Sequence, residues 1–242
     1  RSEMASAGVD FAVEATKDQP TGSCLVLVTP DGERTMQTSL GASSGLAPGD
    51  VDDERLKESQ VLYVEGYLYG SPMGGDAAER AMASVQDHGA IVSLSLSDPG
   101  MATHFRDRFK TAIEKYVDIV FCNEHEASIY AGEDSREGSL RALAEDTSTV
   151  FMTCGKDGSL VFHEGAITHV PGYRVPVVDT TGAGDLYAAG VLFGLTRNMS
   201  PTDAAKLGTF ASARIVTQLG PRLSEPLQAS VEAILSGSQP LS

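Results

Sequence analysis

Short apolar segments alternate with longer helical segments along most of this chain, and that alternation restricts the fold more than any other feature of the sequence. Each apolar segment has the length and composition of a buried strand. The pairs recur about every thirty residues, which is the size of one βα unit. The strand-like segments are 61–64, 90–96, 118–122 and 149–153, and the helical segments that follow them are 74–88, 101–115, 124–131 and 136–145. The pattern predicts an α/β fold with a mostly parallel sheet and helices on both faces.

The residues that follow each strand are the first candidates for a functional site, because parallel sheets bind ligands beyond the carboxyl ends of their strands. Glu65, Gly66 and Tyr67 follow the first strand, and residues 95–99 follow the second. Both segments carry polar residues that could reach a substrate. Turn chemistry alone also explains the Asp-Pro pair within 95–99.

Length and charge narrow the class of protein. The chain has 242 residues and a net charge of −15, from 33 acidic and 18 basic side chains. This length favours one large domain, which we take to span residues 1–242. The acidic excess opposes sequence-independent attraction to nucleic acid or anionic lipid. No apolar run is long enough for a membrane span and no signal-peptide layout is present, so we expect a soluble, cytoplasmic protein that binds neither nucleic acid nor membrane.

The cysteines do not indicate a stabilising framework. Cys24, Cys122 and Cys154 are odd in number, widely spaced and embedded in apolar runs. Neither a set of disulfides nor a zinc site is therefore predicted, and a reducing compartment is expected.

The segment 11–41 interrupts the alternation with a predicted β-hairpin. An apolar strand covers residues 24–28, turn residues follow at 30–32, and a second strand returns over 34–38. A hairpin outside an α/β alternation is a candidate lid over a binding site, and an edge hairpin without ligand contact is the alternative. A second subunit could cover its exposed strand edges, which would give a homodimer.

A glycine-rich segment runs from Asp179 to Asp185, between an apolar strand-like run and an apolar helical run. Gly182 and Gly184 flank Ala183, so backbone N–H groups can turn toward one point where a helix begins and its positive dipole end points. This arrangement predicts an anion pocket. Asp185 is then a candidate base for a hydroxyl group that attacks a phosphoryl group. A structural helix cap is the alternative, because an Asp in the first turn is favourable in any helix.

Two other strand ends carry candidate residues. Asn123 follows the third strand and Glu126 stands three residues later, a spacing that matches a helix capping box and needs no ligand. Residues 153–158 indicate a strand, a glycine-containing turn and a second strand. Gly155 and Gly158 could simply close that hairpin.

The complete run Asp-Thr-Thr-Gly-Ala-Gly-Asp over 179–185, followed by small residues at 188–190, resembles the C-terminal signature of the PfkB family of ribokinase-like sugar and nucleoside kinases. Asn123 and Glu126 are similar to the family's Asn-x-x-Glu motif, and 153–158 is similar to its nucleotide-binding turn. The resemblance implies a ribokinase-like three-layer α/β/α fold with a mostly parallel central sheet and a small β lid.

The resemblance also implies roles for single residues. Asp185 would be the catalytic base, and the anion hole would be formed by Gly182, Ala183 and Gly184. Glu126 would act with Mg²⁺ through water. Asp179 is a candidate ligand for a monovalent cation such as K⁺. The residues that would bind ATP are Asn123, Thr153, Gly155, Gly158 and Thr181.

The resemblance predicts an ATP-dependent kinase that acts on a hydroxymethyl group. Segments 95–99 and 117–127 look more similar to adenosine kinases than to fructose-type members, so a nucleoside is the first expectation and a free sugar the second. A non-catalytic nucleotide or sugar sensor on the same fold is the alternative of another class. The Gly-Gly motif and the substrate-gripping Asp that family members carry upstream are not found, so we expect the N-terminal part of the family fold to be absent from this chain.

Overall fold

The computed structural model describes residues 1–11, 13–29, 34–86, 88–223, 225, 227 and 230–238. Its strands are β1 Ser23–Val28, β2 Arg34–Ser39, β3 Val61–Glu65, β4 Ile91–Ser95, β5 Ile119–Asn123, β6 Thr149–Thr153, β7 Gly158–His163 and β8 Ala166–Pro171. Its α-helices are α1 Ser2–Ser6, α2 Asp53–Lys57, α3 Gly74–Gln86, α4 Pro99–His104, α5 Arg106–Tyr116, α6 Glu124–Ala131, α7 Arg136–Leu143, α8 Ala183–Leu195, α9 Pro201–Ile215 and α10 Val231–Leu235.

The central sheet orders its strands as β3-β4-β5-β6-β7-β8 across the described part of the chain. Strands β3 to β6 are parallel, and β7 and β8 continue the sheet as antiparallel strands. The prediction of a mostly parallel sheet is confirmed. The parallel register sets Asn123 of β5 opposite Thr153 of β6, so the ends of these strands reach the same edge of the sheet.

Alternate residues of the strands pack against helices on opposite faces. Val120 of β5 belongs to a buried cluster that includes side chains from α3, α5, α6 and α7. Its neighbour Phe121 belongs to a second buried cluster that includes side chains from α8 and α9. Because successive side chains of a strand point to opposite faces, the two clusters put helices on both sides of the sheet. The fold is therefore the three-layer α/β/α arrangement predicted for a ribokinase-like chain.

The segment predicted as one helix over 101–115 is two helices, so that prediction was wrong in detail. Asp98 caps α4 by accepting a hydrogen bond from the Met101 N–H at 2.9 Å, and Pro99 opens it, which starts the helix earlier. Phe105 separates α4 from α5 with φ −114° and ψ 17°. Its ring packs beside Phe109, with ring centroids 6.4 Å apart. Aromatic packing in the core thus accompanies the break in the helix.

Helix α9 ends at Ile215, and the segment after it contacts the strand-like run before α8. The Val216 carbonyl accepts hydrogen bonds from the N–H groups of Val178 at 2.8 Å and Asp179 at 3.3 Å. The chain after α9 is thereby tied to the glycine-rich segment.

Strands β1 and β2 form the predicted hairpin, with antiparallel register from Ser23 opposite Ser39 to Val28 opposite Arg34. The predicted turn at 30–32 lies outside the described residues. The side chains of Leu25 and Leu27 are 60% and 57% exposed. Residues 236–238 follow α10, and 239–242 lie outside the described residues.

Within the described ranges, none of the helices has the length and apolar character needed to cross a bilayer.

Candidate active site

A cavity of about 700 Å³ lies between the β1–β2 hairpin and the carboxyl ends of the parallel strands. Residues from the hairpin, from the strand ends and from the start of α8 line it together. The lining residues are Cys24, Met36, Thr38, Tyr63, Glu65, Tyr67, Ser95, Ser97, Asp98, Phe121, Cys122, Asn123, Glu126, Thr153, Thr180, Thr181, Gly182, Ala183, Gly184, Asp185 and Tyr187. Residues predicted from three separate sequence motifs therefore meet in one cavity, and residues of the hairpin line it as well. The lid role of the hairpin stays a prediction.

Helix α8 begins at the glycine-rich segment. Gly182 is its N-cap residue and has a left-handed backbone with φ 81°. A Cβ atom at this position would lie 2.9 Å from the Pro221 Cβ atom. Both facts require glycine at 182, because a side chain would strain the backbone and clash with the turn after α9.

The backbone N–H groups at this helix start differ in their partners. The Ala183 N–H donates to the Thr180 carbonyl at 3.2 Å, and so is already occupied by the protein itself. Those of Gly182, Gly184 and Asp185 have no acceptor among the described residues. Unpaired N–H groups at the start of a long helix form a site for an anion. The anion-hole prediction thus rests on the glycines more than on Ala183.

Asp179 does not line the cavity but holds its glycine-rich wall from behind. Its side chain is 2% exposed. The Oδ1 atom accepts from the Thr181 N–H at 2.9 Å and from the Thr181 hydroxyl at 2.6 Å. The Oδ2 atom accepts from the Gly220 N–H at 2.9 Å. The carboxylate therefore organises two loops, and its predicted role toward a monovalent cation stays a prediction.

Asp185 is an exposed residue in the first turn of α8, and it faces the cavity from there. Its negative charge affects the pKa of two groups at the end of β3, Tyr63 and Glu65. Burial raises the pKa of Glu65, and the nearby Asp185 carboxylate raises that pKa further. Burial also raises the pKa of the Tyr63 phenol, with the Glu65 and Asp185 charges adding to the effect. The Asp185 carboxylate thus lies close to the end of β3.

Asn123 and Glu126 form the predicted capping box at the start of α6. The Asn123 side chain accepts from the His125 and Glu126 N–H groups, both at 2.9 Å. In return, the Glu126 carboxylate accepts from the Asn123 N–H at 2.9 Å and from the Asn123 amide at 2.5 Å. These contacts fix the carboxylate at the cavity wall.

The surroundings of Glu126 also disfavour the charged form of its carboxylate. It is 5% exposed. Burial raises its pKa to about 7, against the lowering effect of the Asn123 N–H bond, and the neighbouring Asp98 charge raises it further. A buried carboxylate beside a second carboxylate favours either a proton or a cation.

Asp98 and Tyr67 lie at the mouth of the cavity, where sequence patterns gave them no definite role. Ser97, between β4 and the Asp98 cap, adopts a positive φ of 71°, which is uncommon for a side-chain-bearing residue. Its carbonyl accepts from the Tyr67 hydroxyl at 3.3 Å, and its hydroxyl accepts from the Tyr67 N–H at 3.2 Å. Burial and the Asp98 charge raise the pKa of Tyr67 to about 12. The strained turn holds the Tyr67 ring, which is 51% exposed, at the cavity.

The nucleotide turn predicted over 153–158 is only partly at the cavity. Thr153 lines it, whereas Gly155 and Gly158 flank a single 3-10 turn that lies beyond the lining residues. Gly158 has φ 95°, and a Cβ atom there would be 2.1 Å from the Val170 carbonyl oxygen, so this glycine is required by the β7–β8 pairing. The ATP-binding role of both glycines stays a prediction.

Aromatic rings that no sequence motif indicated form the floor of the cavity. Phe121 packs edge-on against Tyr63 and Tyr187, with ring centroids 6.0 Å and 6.4 Å apart. Tyr63 and Phe121 are interior residues of apolar strands, two positions before the strand ends. Side chains alternate between the two faces of a strand, and this alternation was the sequence pattern that could have placed Tyr63 and Phe121 on one face of the sheet.

The residues of the cavity fit a magnesium ion. No group of three or more candidate metal-ligating side chains occurs in the described ranges. Glu126 and Asp98 nevertheless put two oxygen donors on one wall, and no lysine, arginine or histidine among the described side chains lines the cavity. Mg²⁺ is commonly held by one or two carboxylates together with waters and substrate phosphates.

Comparisons with known proteins agree with this geometry. The sequence profile of the pfkB family carbohydrate kinases matches residues 1–228. Adenosine kinase of Dictyostelium discoideum is 29% identical over 91% of this chain and 70% of its own length. A solved structure of adenosine kinase from Sinorhizobium meliloti has a TM-score of 0.92 and 36% identity over 96% of this chain and 72% of its own. A probable sugar kinase from Rhizobium etli CFN 42 has a TM-score of 0.93 and 34% identity over 97% and 72%.

We expect Gly182→Ala to destabilise the fold and the matched change Gly184→Ala to leave it intact. The first forces a side chain into left-handed backbone and against Pro221, at a cost of at least about 1–2 kcal/mol. The second adds a methyl group in open space on a helical residue. Urea unfolding of both variants measures the difference, and equal loss of stability in the two would contradict the geometry of the helix start.

We expect Glu126→Gln to change how stability depends on pH in metal-free buffer. With a folded-state pKa of about 7 against an ordinary value of 4.5, Glu126 keeps its proton in the folded protein after the unfolded chain has lost it. The free energy of unfolding of the wild type should therefore fall, relative to Glu126→Gln, by roughly 1–3 kcal/mol as the pH rises from about 4.5 to about 7, with the full loss present above that range.

The measurement is urea unfolding with EDTA at several pH values across that range. Glu137→Gln is the control, because the Glu137 side chain is 67% exposed on α7. A constant difference between wild type and Glu126→Gln at all pH values would show that Glu126 does not titrate in the way its surroundings imply.

Proposed function

Because the chain belongs to the pfkB family of carbohydrate kinases, which its residues 1–228 match, we propose that it transfers the γ-phosphoryl group of ATP to a hydroxymethyl group of a nucleoside. The observation that carries the proposal is a carboxylate beside unpaired backbone donors. Asp185 and the N–H groups of Gly182 and Gly184, which have no acceptor in the part of the chain that the structure describes, share one cavity with the residues of two other predicted motifs. This combination suits deprotonation of an alcohol next to a phosphoryl group.

In the proposed reaction, Asp185 accepts the proton of the acceptor hydroxyl. The acceptor oxygen then forms a bond to the γ-phosphorus of ATP while the bond from that phosphorus to the β-phosphate oxygen breaks, which leaves ADP. The N–H groups of Gly182 and Gly184, with the positive end of α8 behind them, stabilise the negative charge on the transferred oxygens. The hairpin residues that line the cavity exclude water from it.

Glu126 and Asp98 are the residues that would hold Mg²⁺, directly or through water. When bound, the ion neutralises charge on the phosphate oxygens. The capping bonds from Asn123 keep the Glu126 carboxylate aimed for that purpose. For Asp179 we keep the proposal of a nearby monovalent cation, with backbone carbonyls as the main ligands, because its own carboxylate is engaged by Thr181 and Gly220.

The charge of the cavity supports a neutral acceptor. Glu65, Asp98, Glu126 and Asp185 line it, and the described side chains bring no cation to it. A sugar phosphate or a sugar acid would meet repulsion in such a cavity, whereas nucleosides and free sugars carry no charge.

Two observations favour a nucleoside over a free sugar. The half-exposed Tyr67 ring offers a flat surface at the mouth of the cavity, on which a base could stack. The 36% identity of this chain to the adenosine kinase of Sinorhizobium meliloti also favours a nucleoside. A free sugar remains the second candidate, since a probable sugar kinase has nearly the same similarity to this chain. A non-catalytic sensor would have no use for Asp185 beside the phosphate site.

For assembly we propose a homodimer through the hairpin, whose Leu25 and Leu27 are exposed.

The test is ATP consumption with a panel of nucleosides, free sugars, sugar phosphates and sugar acids. We expect Mg²⁺-dependent turnover with nucleosides, led by adenosine, and none with the anionic acceptors. Asp185→Asn should lower kcat by about 10²–10⁴-fold, because it removes the base and keeps the shape. Asp203→Asn is the matched control, an Asp in the first turn of the neighbouring helix α9 and outside the cavity lining.

Near-normal turnover of Asp185→Asn with the acceptor that the wild type prefers would remove Asp185 from the role of base. Tight binding of a nucleoside without turnover of any acceptor would favour the sensor.

Tyr67 separates the two acceptor classes. We expect Tyr67→Ala to lower kcat/KM for nucleosides by about 5–100-fold through loss of base stacking, and to leave kcat/KM for ribose nearly unchanged. Tyr67→Phe keeps the ring and is the control, and it should retain most nucleoside activity. An equal loss for nucleosides and ribose in Tyr67→Ala would indicate that the ring has no role in base recognition.

A further inference from the structure

Arg136 occupies a position that local helix chemistry does not favour. It is the first residue of α7, where the positive end of the helix dipole disfavours a cation. Ser135 already caps the helix by accepting a hydrogen bond from the Gly138 N–H at 3.0 Å. The reason for an arginine at this point must therefore lie in its tertiary contacts.

The guanidinium group of Arg136 joins the start of α6, which carries the cavity residue Glu126, to the turn that follows the cavity residue Thr153. Its Nε atom donates to the Glu124 carboxylate at 2.6 Å, and its Nη1 atom donates to the Asp157 carboxylate at 2.9 Å. Glu124 follows Asn123 directly and belongs to the Asn-x-x-Glu segment. Asp157 lies in the turn between Gly155 and Gly158. A planar guanidinium with several donors can hold two carboxylates in a fixed arrangement, which a lysine cannot do as well.

The same turn is anchored on its other side by backbone contacts. The Asp157 carbonyl accepts from the His169 Nε2 atom at 2.7 Å and from the Gly172 N–H at 3.3 Å. These contacts tie the turn to strand β8 and the residue after it. Arg136 ties it to α6, and so completes the link between the turn and the helix that carries Glu126.

We propose that Arg136 is a positioning residue for the nucleotide, and this inference rests on the proposed function. It fixes the spacing between the Asn-x-x-Glu segment at the start of α6 and the glycine turn 155–158, so that both engage one ATP molecule. Arg136 does not line the cavity and has no contact with the reacting atoms.

The exposure of the Arg136 ion pairs indicates that they fix the relative positions of two segments more than they stabilise the fold. The side chains of Arg136, Glu124 and Asp157 are 40%, 30% and 47% exposed. Ion pairs at such exposure add little to stability, because water and salt screen them. Loss of Arg136 should consequently change how the protein binds nucleotide while leaving the thermal midpoint nearly unchanged.

The experiment compares Arg136→Gln, Arg136→Lys and Arg141→Gln in steady-state kinetics with the preferred acceptor. We expect Arg136→Gln to raise KM for ATP by about 10-fold, with KM for the acceptor changed less than about 2-fold. Arg136→Lys should give an intermediate KM for ATP. Arg141→Gln is the matched control, since Arg141 lies on the same helix and pairs with Glu137 within it, and it should match the wild type.

A double-mutant cycle supplies the second readout. If Arg136 acts through Asp157, the increase in KM for ATP in the double variant Arg136→Gln with Asp157→Asn should be smaller than the product of the two single increases. Additive effects, an unchanged KM for ATP in Arg136→Gln, or equal increases in KM for both substrates would each overturn the inference.

Binding of ADP with Mg²⁺, followed by calorimetry, keeps this test separate from the proposed function. Absence of turnover with every acceptor in the wild type would count against the proposed function. Weaker ADP binding in Arg136→Gln than in Arg141→Gln would still support the positioning role in that case, and equal ADP binding would overturn it.

Discussion

The structure of the candidate active site depends on the hydrogen bonds that the buried Asp179 carboxylate accepts. Its two oxygens accept hydrogen bonds from Thr181 on one side and from Gly220 on the other, so one side chain joins the loop before α8 to the loop after α9. Pro221, next to Gly220, then lies against Gly182 so closely that no Cβ atom fits between them. This arrangement sets where α8 begins, and with it the direction of the free N–H groups and of the Asp185 carboxylate. Removing one of the groups that donate to the buried Asp179 carboxylate would leave it with fewer hydrogen bonds and so would be costly in stability. The carboxylate is therefore suited to hold the two loops in fixed positions.

The parallel sheet supplies the second condition, since it gathers the ends of separate strands at one edge. Glu65, Asp98 and Glu126 come from segments far apart in the chain, yet all three line the cavity that Asp185 also lines. Burial, with the neighbouring Asp98 charge adding to it, raises the pKa of Glu126 to about 7, so the charged form of this carboxylate is unfavourable where it stands. A cation held by Glu126 and Asp98 would neutralise their charges and, in the proposed function, would attract the phosphate groups of a nucleotide. An acidic protein can in this way bind an anionic substrate, although its net charge of −15 opposes the approach.

In the proposed function, the start of α8 forms the phosphate side of the cavity, and side chains of the hairpin and of the ends of β3 and β4 form its acceptor side. Sequence patterns identified the residues of the first side better than those of the second, and the reason is physical. Turns and helix starts require particular residues at fixed spacing, so Gly182, Asp185 and Glu126 were identified from local patterns, and the strand–helix alternation predicted the sheet. The aromatic floor was missed because Tyr63 and Phe121 belong to apolar strands whose pattern shows burial but not which face meets a ligand. The break between α4 and α5 was also missed, because Phe105, which separates the two helices, packs against the ring of Tyr69, and that residue is distant in the sequence.

The two sides of the cavity also differ in how freely their chemistry can change. The phosphate side consists largely of backbone N–H groups and glycines, and a side chain at Gly182 would disrupt the turn after α9 as well as the anion site. The acceptor side consists of side chains from the hairpin and from the ends of β3 and β4, such as Met36 and Tyr67. Replacing those side chains alters shape and polarity while the strands that carry them keep their hydrogen bonds. For the proposed reaction, specificity for the acceptor can therefore vary while the start of α8 keeps its structure, and the identity of the acceptor is to be sought in these side chains and not in the signature at α8.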